Sequence, residues 1–183
     1  MPSTASPFGL RPTSHPSGTI RVEQGTIATG YAAAIYMNDP VAITTDGSLI
    51  LGAVNGRIVG SFQGVEYTDS NGKRTVANHW TASTAGTDIV AYFTRDQKIR
   101  YAIQSDAAVT QAMLGEQFDW NTPSGNSTTG LSSTTLNVAS SAANAGLRLV
   151  DLYRDADNAW SDTYTTCIVE ISEHQDTADV AAY

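Results

Sequence analysis

The chain has few charged residues and very little lysine. Charged residues make up 15% of its 183 residues, and acids outnumber bases by 18 to 10, which gives a formal net charge of −8. Lysine occurs only at Lys73 and Lys98. A protein that binds duplex nucleic acid needs clustered Lys and Arg to displace counterions from the phosphates. Because the sequence has no such cluster, we expect no nucleic-acid partner.

Cysteine and long apolar runs are also scarce. Cys167 is the single cysteine, so no internal disulfide can form. It lies in a strand-like run at 165–169, where a buried structural thiol is expected rather than a nucleophile. No apolar stretch approaches the roughly 20 residues of a membrane-spanning helix. The N-terminus also lacks the apolar core of a secretory signal. We therefore expect no membrane partner.

Signatures of catalysis and of metal binding are missing too. There is no G-x-x-x-x-G-K-[ST] phosphate loop. The three histidines, His15, His79 and His174, lie far apart in the sequence, which indicates no zinc site. We expect no enzymatic activity, no cofactor and no metal. Two alternatives stay open: a calcium ion on the loop that carries Asp155 and Asp157, and a hydrolase that uses carboxylates near His79.

Alternating apolar and polar residues are abundant, and they indicate strands. Residues 89–104 contain two apolar, β-branched and aromatic runs around a polar break at 94–97, which predicts a central hairpin. In its second half, one predicted face is apolar and the other polar. The apolar face consists of Ile99, Tyr101 and Ile103, and the polar face of Lys98, Arg100 and Gln104.

Turn signals separate the other short strands. Asp46-Gly47 and Asn71-Gly72 each predict a tight hairpin. The sequence therefore predicts a mainly β protein, a single β-barrel or β-sandwich domain with at most one short helix. That helix is expected at 107–114, with Ser105 or Asp106 as its cap and Gly115 at its end. Residues 121–130 are expected to form an exposed loop.

The two ends of the chain differ from its middle. Residues 1–18 contain four prolines and predict an extended N-terminal arm, followed by a β domain at 19–174 and an acidic, mobile tail at 175–183. Phe8 and Leu10 are the large apolar side chains of the arm, and Arg11 is a charged clamp beside them. The arm is either a frayed terminus or a segment that lies on a neighbouring surface, anchored by Phe8 and Leu10.

Short motifs that are structural rather than catalytic occur over nearly the full chain. They are Pro7-Phe8-Gly9-Leu10-Arg11-Pro12, His15-Pro16-Ser17-Gly18, Gly64-Val65-Glu66-Tyr67, Ala91-Tyr92, Ile103-Gln104-Ser105-Asp106, Leu147-Arg148 and Val169-Glu170-Ile171-Ser172-Glu173-His174. With these motifs the chain resembles the capsid decoration, or cement, proteins of tailed bacteriophages.

The resemblance implies a β domain on the outer surface of an icosahedral phage head. It implies binding to the major capsid protein as a homo-oligomer, with a trimer favoured, and a place in the virion after synthesis in the host cytoplasm. The arm would then contact capsid subunits or sister copies. The residues expected at that contact are Pro7, Phe8, Leu10, Arg11, Pro12 and His15.

A phage fibre or carbohydrate-binding module is the alternative function. Trp80, Trp120 and Trp160 could line a sugar platform together with the 121–130 loop. Exposed tryptophans in a common groove would favour this alternative, whereas a pocket that holds two carboxylates near His79 would favour the hydrolase.

Overall fold

The computed structural model describes residues 4–177, and these residues form two large antiparallel β-sheets arranged like a sandwich and one small two-stranded sheet. The prediction of a mainly β protein is confirmed. The strands are β1 Arg11–Ser14, β2 Val22–Gly25, β3 Pro40–Ile43, β4 Leu49–Leu51, β5 Gly60–Thr68, β6 Arg74–Ala77, β7 Thr87–Thr94, β8 Arg100–Gln104, β9 Gln117–Trp120, β10 Gly125–Asn126, β11 Leu131–Ser132, β12 Leu136–Asn137, β13 Leu147–Leu152 and β14 Thr166–Ile171.

Sheet A has the strand order β1-β8-β14-β13-β9-β12. Successive side chains of a strand point to opposite faces, so every second residue of these strands faces inward. The inward residues form one apolar cluster, the sheet A core, which also takes in Leu10 and Ile58 from outside the central strands. Its members from the strands include Tyr101, Ile103, Phe118, Trp120, Leu147, Leu149, Cys167 and Val169.

Sheet B has the order β2-β7-β5-β3-β4, and β6 pairs with β5. Its inward residues form a separate apolar cluster, the sheet B core. Within that core, the rings of Trp80 and Tyr67 meet edge to face, with their centroids 5.6 Å apart. The members that fill it are Ile27, Ile35, Val41, Leu49, Phe62, Val65, Trp80 and Phe93.

The predicted central hairpin at 89–104 is wrong. Strand β7 pairs with β2 and β5 in sheet B, whereas β8 pairs with β1 and β14 in sheet A. The polar break therefore carries the chain from one sheet to the other. The Thr94 Oγ1 and Tyr101 OH atoms, 2.9 Å apart, tie the two sides of this crossover together. Alternation shows which face of a strand is apolar, but not which strand is its neighbour.

The predicted helix at 107–114 is also wrong. Only a single turn of 3₁₀-helix forms, at Gln111–Met113, and a second one lies at Val138–Ser140. The Ser105 hydroxyl donates to Thr165 O at 2.9 Å instead of capping a helix, and the Val109 amide donates to Thr165 Oγ1 at 3.3 Å. Hydrogen bonds to Thr165, just before β14, thus use the Ser105 hydroxyl and the Val109 amide, which the predicted helix would need for its cap and its backbone bonds. Gly115 does adopt the positive φ, +87°, that its predicted role required.

The N-terminal segment, residues 4–18, is built into the domain, so the predicted arm with a boundary at residue 18 is corrected. Strand β1 forms the edge of sheet A beside β8, and Leu10 is 1% exposed in the sheet A core. The Leu10 amide donates to Asn38 O at 2.7 Å. Gly9 has a φ of +76°, and a Cβ there would collide with the Asn38 carbonyl and the Ser132 side chain. Pro12 is tolerated because an edge strand has one side without a partner strand.

The same segment also covers part of β8. Gln104, predicted to face solvent, is buried, because its side chain bonds to backbone groups of the N-terminal segment. Its Oε1 accepts from Ser6 N at 2.8 Å, and its Nε2 donates to Thr4 O at 3.0 Å. The polar face of β8 is therefore partly enclosed, although its alternation is as predicted.

Residues 175–177 are bound to the domain, as is His174 before them, so the prediction of a mobile tail is wrong for 175–177. His174 is buried, and its Nε2 lies 2.9 Å from Arg95 O. The Gln175 side chain accepts from Ile43 N at 2.7 Å and donates to Ile43 O at 3.0 Å. The rest of the predicted tail, residues 178–183, and the first three residues of the chain lie outside the described residues.

The predicted exposed loop at 121–130 is partly packed. Strands β10 and β11 form a short hairpin, and Gly125 lies against the Tyr36 ring. Ser132, in β11, and Thr134, just after that strand, are buried and donate hydrogen bonds to Asp39 Oδ1. No helix within residues 4–177 has the length and apolar character needed to cross a membrane.

Candidate functional site

The outward residues of sheet A form a face that carries several arginines, and we call it the outer face of sheet A. Because Leu147, Leu149 and Val169 point into the core, their neighbours Arg148 and Glu170 must point outward. These two residues lie opposite each other on β13 and β14. Arg100 on β8 reaches Glu170 from the other side.

Glu170 therefore lies between two arginines, but it binds only one of them by an ion pair. Arg100 Nε donates to Glu170 Oε1 at 2.9 Å. Arg148 is exposed, and its Nη2 lies 3.1 Å from the side-chain oxygen of Gln117 when that amide is oriented to donate to Ala143 O and Ala145 O. In residues 4–177 no carboxylate lies within ion-pair distance of Arg148.

A second arginine site lies further along the same face. Arg11 is paired with Ala102 and therefore points outward with it. Its guanidinium carbon lies 4.4 Å from the centroid of the Phe8 ring and 5.5 Å from that of Tyr153. Contacts of this kind hold a cation by the negative face of the ring and fix its orientation. No carboxylate in the described part of the chain pairs with Arg11, which is exposed.

A groove runs beside this stack of Phe8, Arg11 and Tyr153. Its walls are polar and partly acidic, because loop residues that follow β13 contribute to them. The Asn158 side chain holds that loop by donating to Tyr153 O at 2.6 Å and to Thr166 O at 2.8 Å. The other lining residues are Ser6, Gln104, Asp155, Asp157 and Thr166.

The six residues predicted to contact a partner do not share one surface. Phe8 and Arg11 lie together on the outer face of sheet A, with the half-buried Pro7 next to them in the chain. The prediction for Leu10 is corrected, because its side chain is buried in the sheet A core and cannot anchor the chain on a partner. Pro12 is half-buried and lies opposite Tyr101, which points inward.

His15 lies apart from the stack, at a cleft beside the crossover between the sheets. Its Nε2 is 3.3 Å from Asp96 Oδ1 without hydrogen-bond geometry, and its Nδ1 is 2.6 Å from Ser17 Oγ. On the other side of the cleft, Arg95 binds Asp176 through two hydrogen bonds of 2.7 and 3.0 Å. The hydrogen bond from Arg95 holds the pKa of Asp176 below its usual range, so these charges are already compensated within the chain.

The residues that the sequence offered for metal binding or hydrolysis have the following surroundings in the structure. Within residues 4–177, no three His, Cys, Asp or Glu side chains are placed to hold a metal ion. The Asp155 and Asp157 side chains are exposed, and Asp155 Oδ1 accepts from the amide of Ala156. His79 stacks on Tyr36, with the ring centroids 5.9 Å apart. Burial raises the pKa of Cys167 to about 12, which disfavours the reactive thiolate.

The tryptophans do not form a sugar platform. Trp80 and Trp120 are fully buried, one in each core, and Trp160 packs against the sheet A core. A platform needs exposed ring faces, so Trp80 and Trp120 are core residues and do not line the common groove that the alternative required.

Sequence reasoning missed Tyr153 and Asp39. Tyr153 completes the arginine stack from a position 142 residues after Arg11, and no local pattern indicates it. Asp39 is a buried carboxyl whose pKa burial raises to about 6, against the hydrogen bonds from Ser132, the Tyr36 amide and Thr134, which lower it. It joins the segment around β11 to the start of β3 and therefore has a structural role.

No protein-family model, curated protein or solved structure matches this chain. Function must therefore be argued from the residues and their arrangement.

Proposed function

We propose that this protein is a structural component of a phage virion. It decorates the outer surface of an icosahedral head and stabilises it by binding the major capsid protein, as a homo-oligomer with a trimer favoured. The proposal takes its function class from the resemblance to cement proteins. The observation that supports it is the stack in which Phe8 and Tyr153 hold Arg11, an exposed arginine with no acidic partner in residues 4–177.

The stack is suited to recognition of a carboxylate on another protein. A guanidinium has five N–H donors in a planar fork that matches a carboxylate, and the two rings keep that fork in place before binding. Little side-chain entropy then has to be lost when the partner arrives. Arg and aromatic residues are also the residue types that most often contribute the largest binding energies in protein interfaces.

Stabilisation of a shell by such a protein follows from mass action. A protein that binds the assembled shell more tightly than its separated subunits shifts the equilibrium towards the shell. A standard interface buries roughly 1,600 Å², and many copies on one head add their contributions.

The test uses phage heads prepared without this protein. Purified protein should sediment with those heads and should raise the temperature at which they release DNA. Arg11→Ala should weaken sedimentation, whereas Arg21→Ala, an exposed arginine of the same N-terminal region, is the matched control and should not. If the wild-type protein neither binds the heads nor delays DNA release, the proposed function is wrong.

Removal of residues 1–18 is not a suitable test. The deletion would take away β1 and Leu10, and with them part of the sheet A core. Loss of binding would then report unfolding, so point substitutions at exposed positions are needed.

A further inference from the structure

We infer that the whole outer face of sheet A, not the N-terminal segment alone, is a docking surface for an acidic patch on another protein. The inference rests on the proposed function in taking the capsid protein of the shell as that partner.

The face is richer in positive charge than the molecule as a whole. Its strands present Arg11, Arg100 and Arg148 outward together with the two acids Glu170 and Asp151. The loop after β13 adds Arg154, which lies near Asp151, and Asp155 and Asp157, which line the groove beside Arg11, so positive and negative charges balance on this face. The chain itself has a formal net charge of −8. The face is therefore less negative than the chain as a whole, and its arginines without an acidic partner favour contact with carboxylates of another protein.

Within residues 4–177, two of the arginines on this face have no carboxylate that compensates their charge. Glu170 accepts from Arg100, so the one carboxylate between the two arginines is already engaged at 2.9 Å. Arg148 contacts the amide oxygen of Gln117, a neutral group, at 3.1 Å. In the same described part of the chain, the Arg11 guanidinium lies against the Phe8 and Tyr153 rings and has no ion pair. Two arginines therefore keep N–H donors that a partner's carboxylates can bind.

Apolar side chains lie between the two arginine sites. Ala102 lies opposite both Arg11 and Ile168 in neighbouring strands, so all three positions belong to the outer face. Ala102 is fully buried, whereas Ile168 is only half-buried. Ile168 therefore supplies a partly exposed apolar contact between the charged groups, as apolar side chains do at the centre of protein interfaces. Because the positions belong to paired strands, the surface is rigid before binding.

Sheet B carries a comparable arginine–glutamate pair, but there the pair is satisfied within the chain. Glu66 accepts from the Tyr92 hydroxyl at 2.8 Å and lies 3.2 Å from Arg74 Nη2. Arg74 Nη1 also donates to Asp88 O at 2.7 Å. Arg74 therefore has partners within the chain for both of its terminal nitrogens, and it is a matched control for Arg148.

The experiment compares Arg148→Glu with Arg74→Glu, which change the net charge equally on opposite sheets. Unfolding curves first establish that both variants fold. Retention on a resin coated with polyglutamate and binding to heads that lack this protein are then measured. We expect Arg148→Glu to lower the affinity in both assays by at least about tenfold. Arg74→Glu should stay within about twofold of the wild-type protein.

The outcomes separate this inference from the proposed function. If the heads bind the wild-type protein and both variants alike, decoration stands and the docking face is wrong. If the resin discriminates the variants but no protein binds the heads, the acidic-partner surface stands and the shell is not its partner. If Arg148→Glu instead dissociates an oligomer of the wild-type protein in sedimentation, the occupant is a second copy and the inference is overturned.

Discussion

The outer faces of the two sheets carry the same ion pair in different surroundings. Arg100 and Glu170 link adjacent strands of sheet A, and Arg74 and Glu66 do so in sheet B. The sheet B pair is completed by the Tyr92 hydroxyl, whereas on sheet A a second arginine lies opposite the same glutamate. An ion pair therefore does not by itself define a binding face. What matters is whether donors are left over once the chain has satisfied its own groups.

The cores of the two sheets differ in a related way. The sheet B core is assembled from residues in the first half of the chain, from Ile27 to Phe93. The sheet A core takes Leu10 from the N-terminal segment and Ile171 from the last strand. Sheet A thus depends on contacts between distant parts of the sequence. The proposed docking face is built on the sheet whose core includes both ends of the described chain.

The largest effect is expected from a substitution that removes the side chain by which the N-terminal segment packs into the sheet A core. Leu10→Ala should lower the free energy of unfolding by about 2–5 kcal/mol, because it leaves a cavity beside Tyr101 and its neighbours. Urea unfolding measures this change. Val76→Ala on the edge of sheet B is the control, since that side chain is 76% exposed, and it should cost less than about 0.5 kcal/mol. Equal losses would mean that the segment is not part of the core.

The next effect is a pH dependence that originates at Asp39, just before β3, where Ser132 and Thr134 bind its carboxyl. The pKa of Asp39 is raised from 3.8 to about 6, so the folded state binds the proton more tightly than the unfolded state does. The proton on Asp39 therefore adds about 3 kcal/mol to the free energy of unfolding below pH 3.8. This contribution is lost as the pH rises through 6.

The Asp39 prediction is checked with the difference between two proteins. Urea unfolding of the wild-type protein and of Asp39→Asn should be followed from about pH 4 to pH 7, across the window in which the carboxyl titrates. The wild-type protein should lose stability relative to the variant as the pH rises. Parallel pH profiles for the two proteins would contradict the raised pKa.

A smaller effect distinguishes the two arginines of the sheet A face. Arg100→Ala removes an ion pair and should cost about 0.2–1 kcal/mol. Arg148→Ala removes no ion pair within residues 4–177 and should change the free energy of unfolding by less than about 0.5 kcal/mol. Urea unfolding of both variants gives the comparison. A larger cost for Arg148→Ala would show that its side chain serves the fold rather than a partner.

The smallest effect concerns the pair on sheet B. The hydrogen bond from Tyr92, followed by that from Arg74, holds the pKa of Glu66 below its usual range. Tyr92→Phe should therefore raise the Glu66 pKa towards its ordinary value, as measured by NMR titration of the side-chain carboxyl. Tyr153→Phe, on the other sheet, should leave it unchanged. If the Glu66 pKa does not respond to Tyr92→Phe, the pair is not completed by that hydroxyl.

Local features of this fold could be predicted from the sequence, whereas long-range ones could not. Asp46-Gly47 and Asn71-Gly72 do connect paired strands, β3 with β4 and β5 with β6, and both glycines have positive φ. Such turns depend on a few adjacent residues. The hairpin at 89–104 failed because the alternation is the same whether the next strand joins the same sheet or the other one.

The candidate site shows the same limit. The sequence pointed to Phe8 and Arg11 as surface residues of one short segment, and they do lie together. It could not place Tyr153 beside them or set Arg148 opposite Glu170, because these contacts depend on strand order and register. It also took Leu10 for a partner anchor, since an isolated leucine in a proline-rich stretch gives no sign of the core that receives it.

The most direct test of the central claim is an electron cryo-microscopy reconstruction of heads decorated with this protein. The account predicts that each copy sits on the shell with the outer face of sheet A against the capsid protein. Arg11 and Arg148 should lie within hydrogen-bond distance of capsid carboxylates, while Arg74 faces away from the shell. A reconstruction in which the outer face of sheet A points into solvent, or in which no copy is bound, would contradict it.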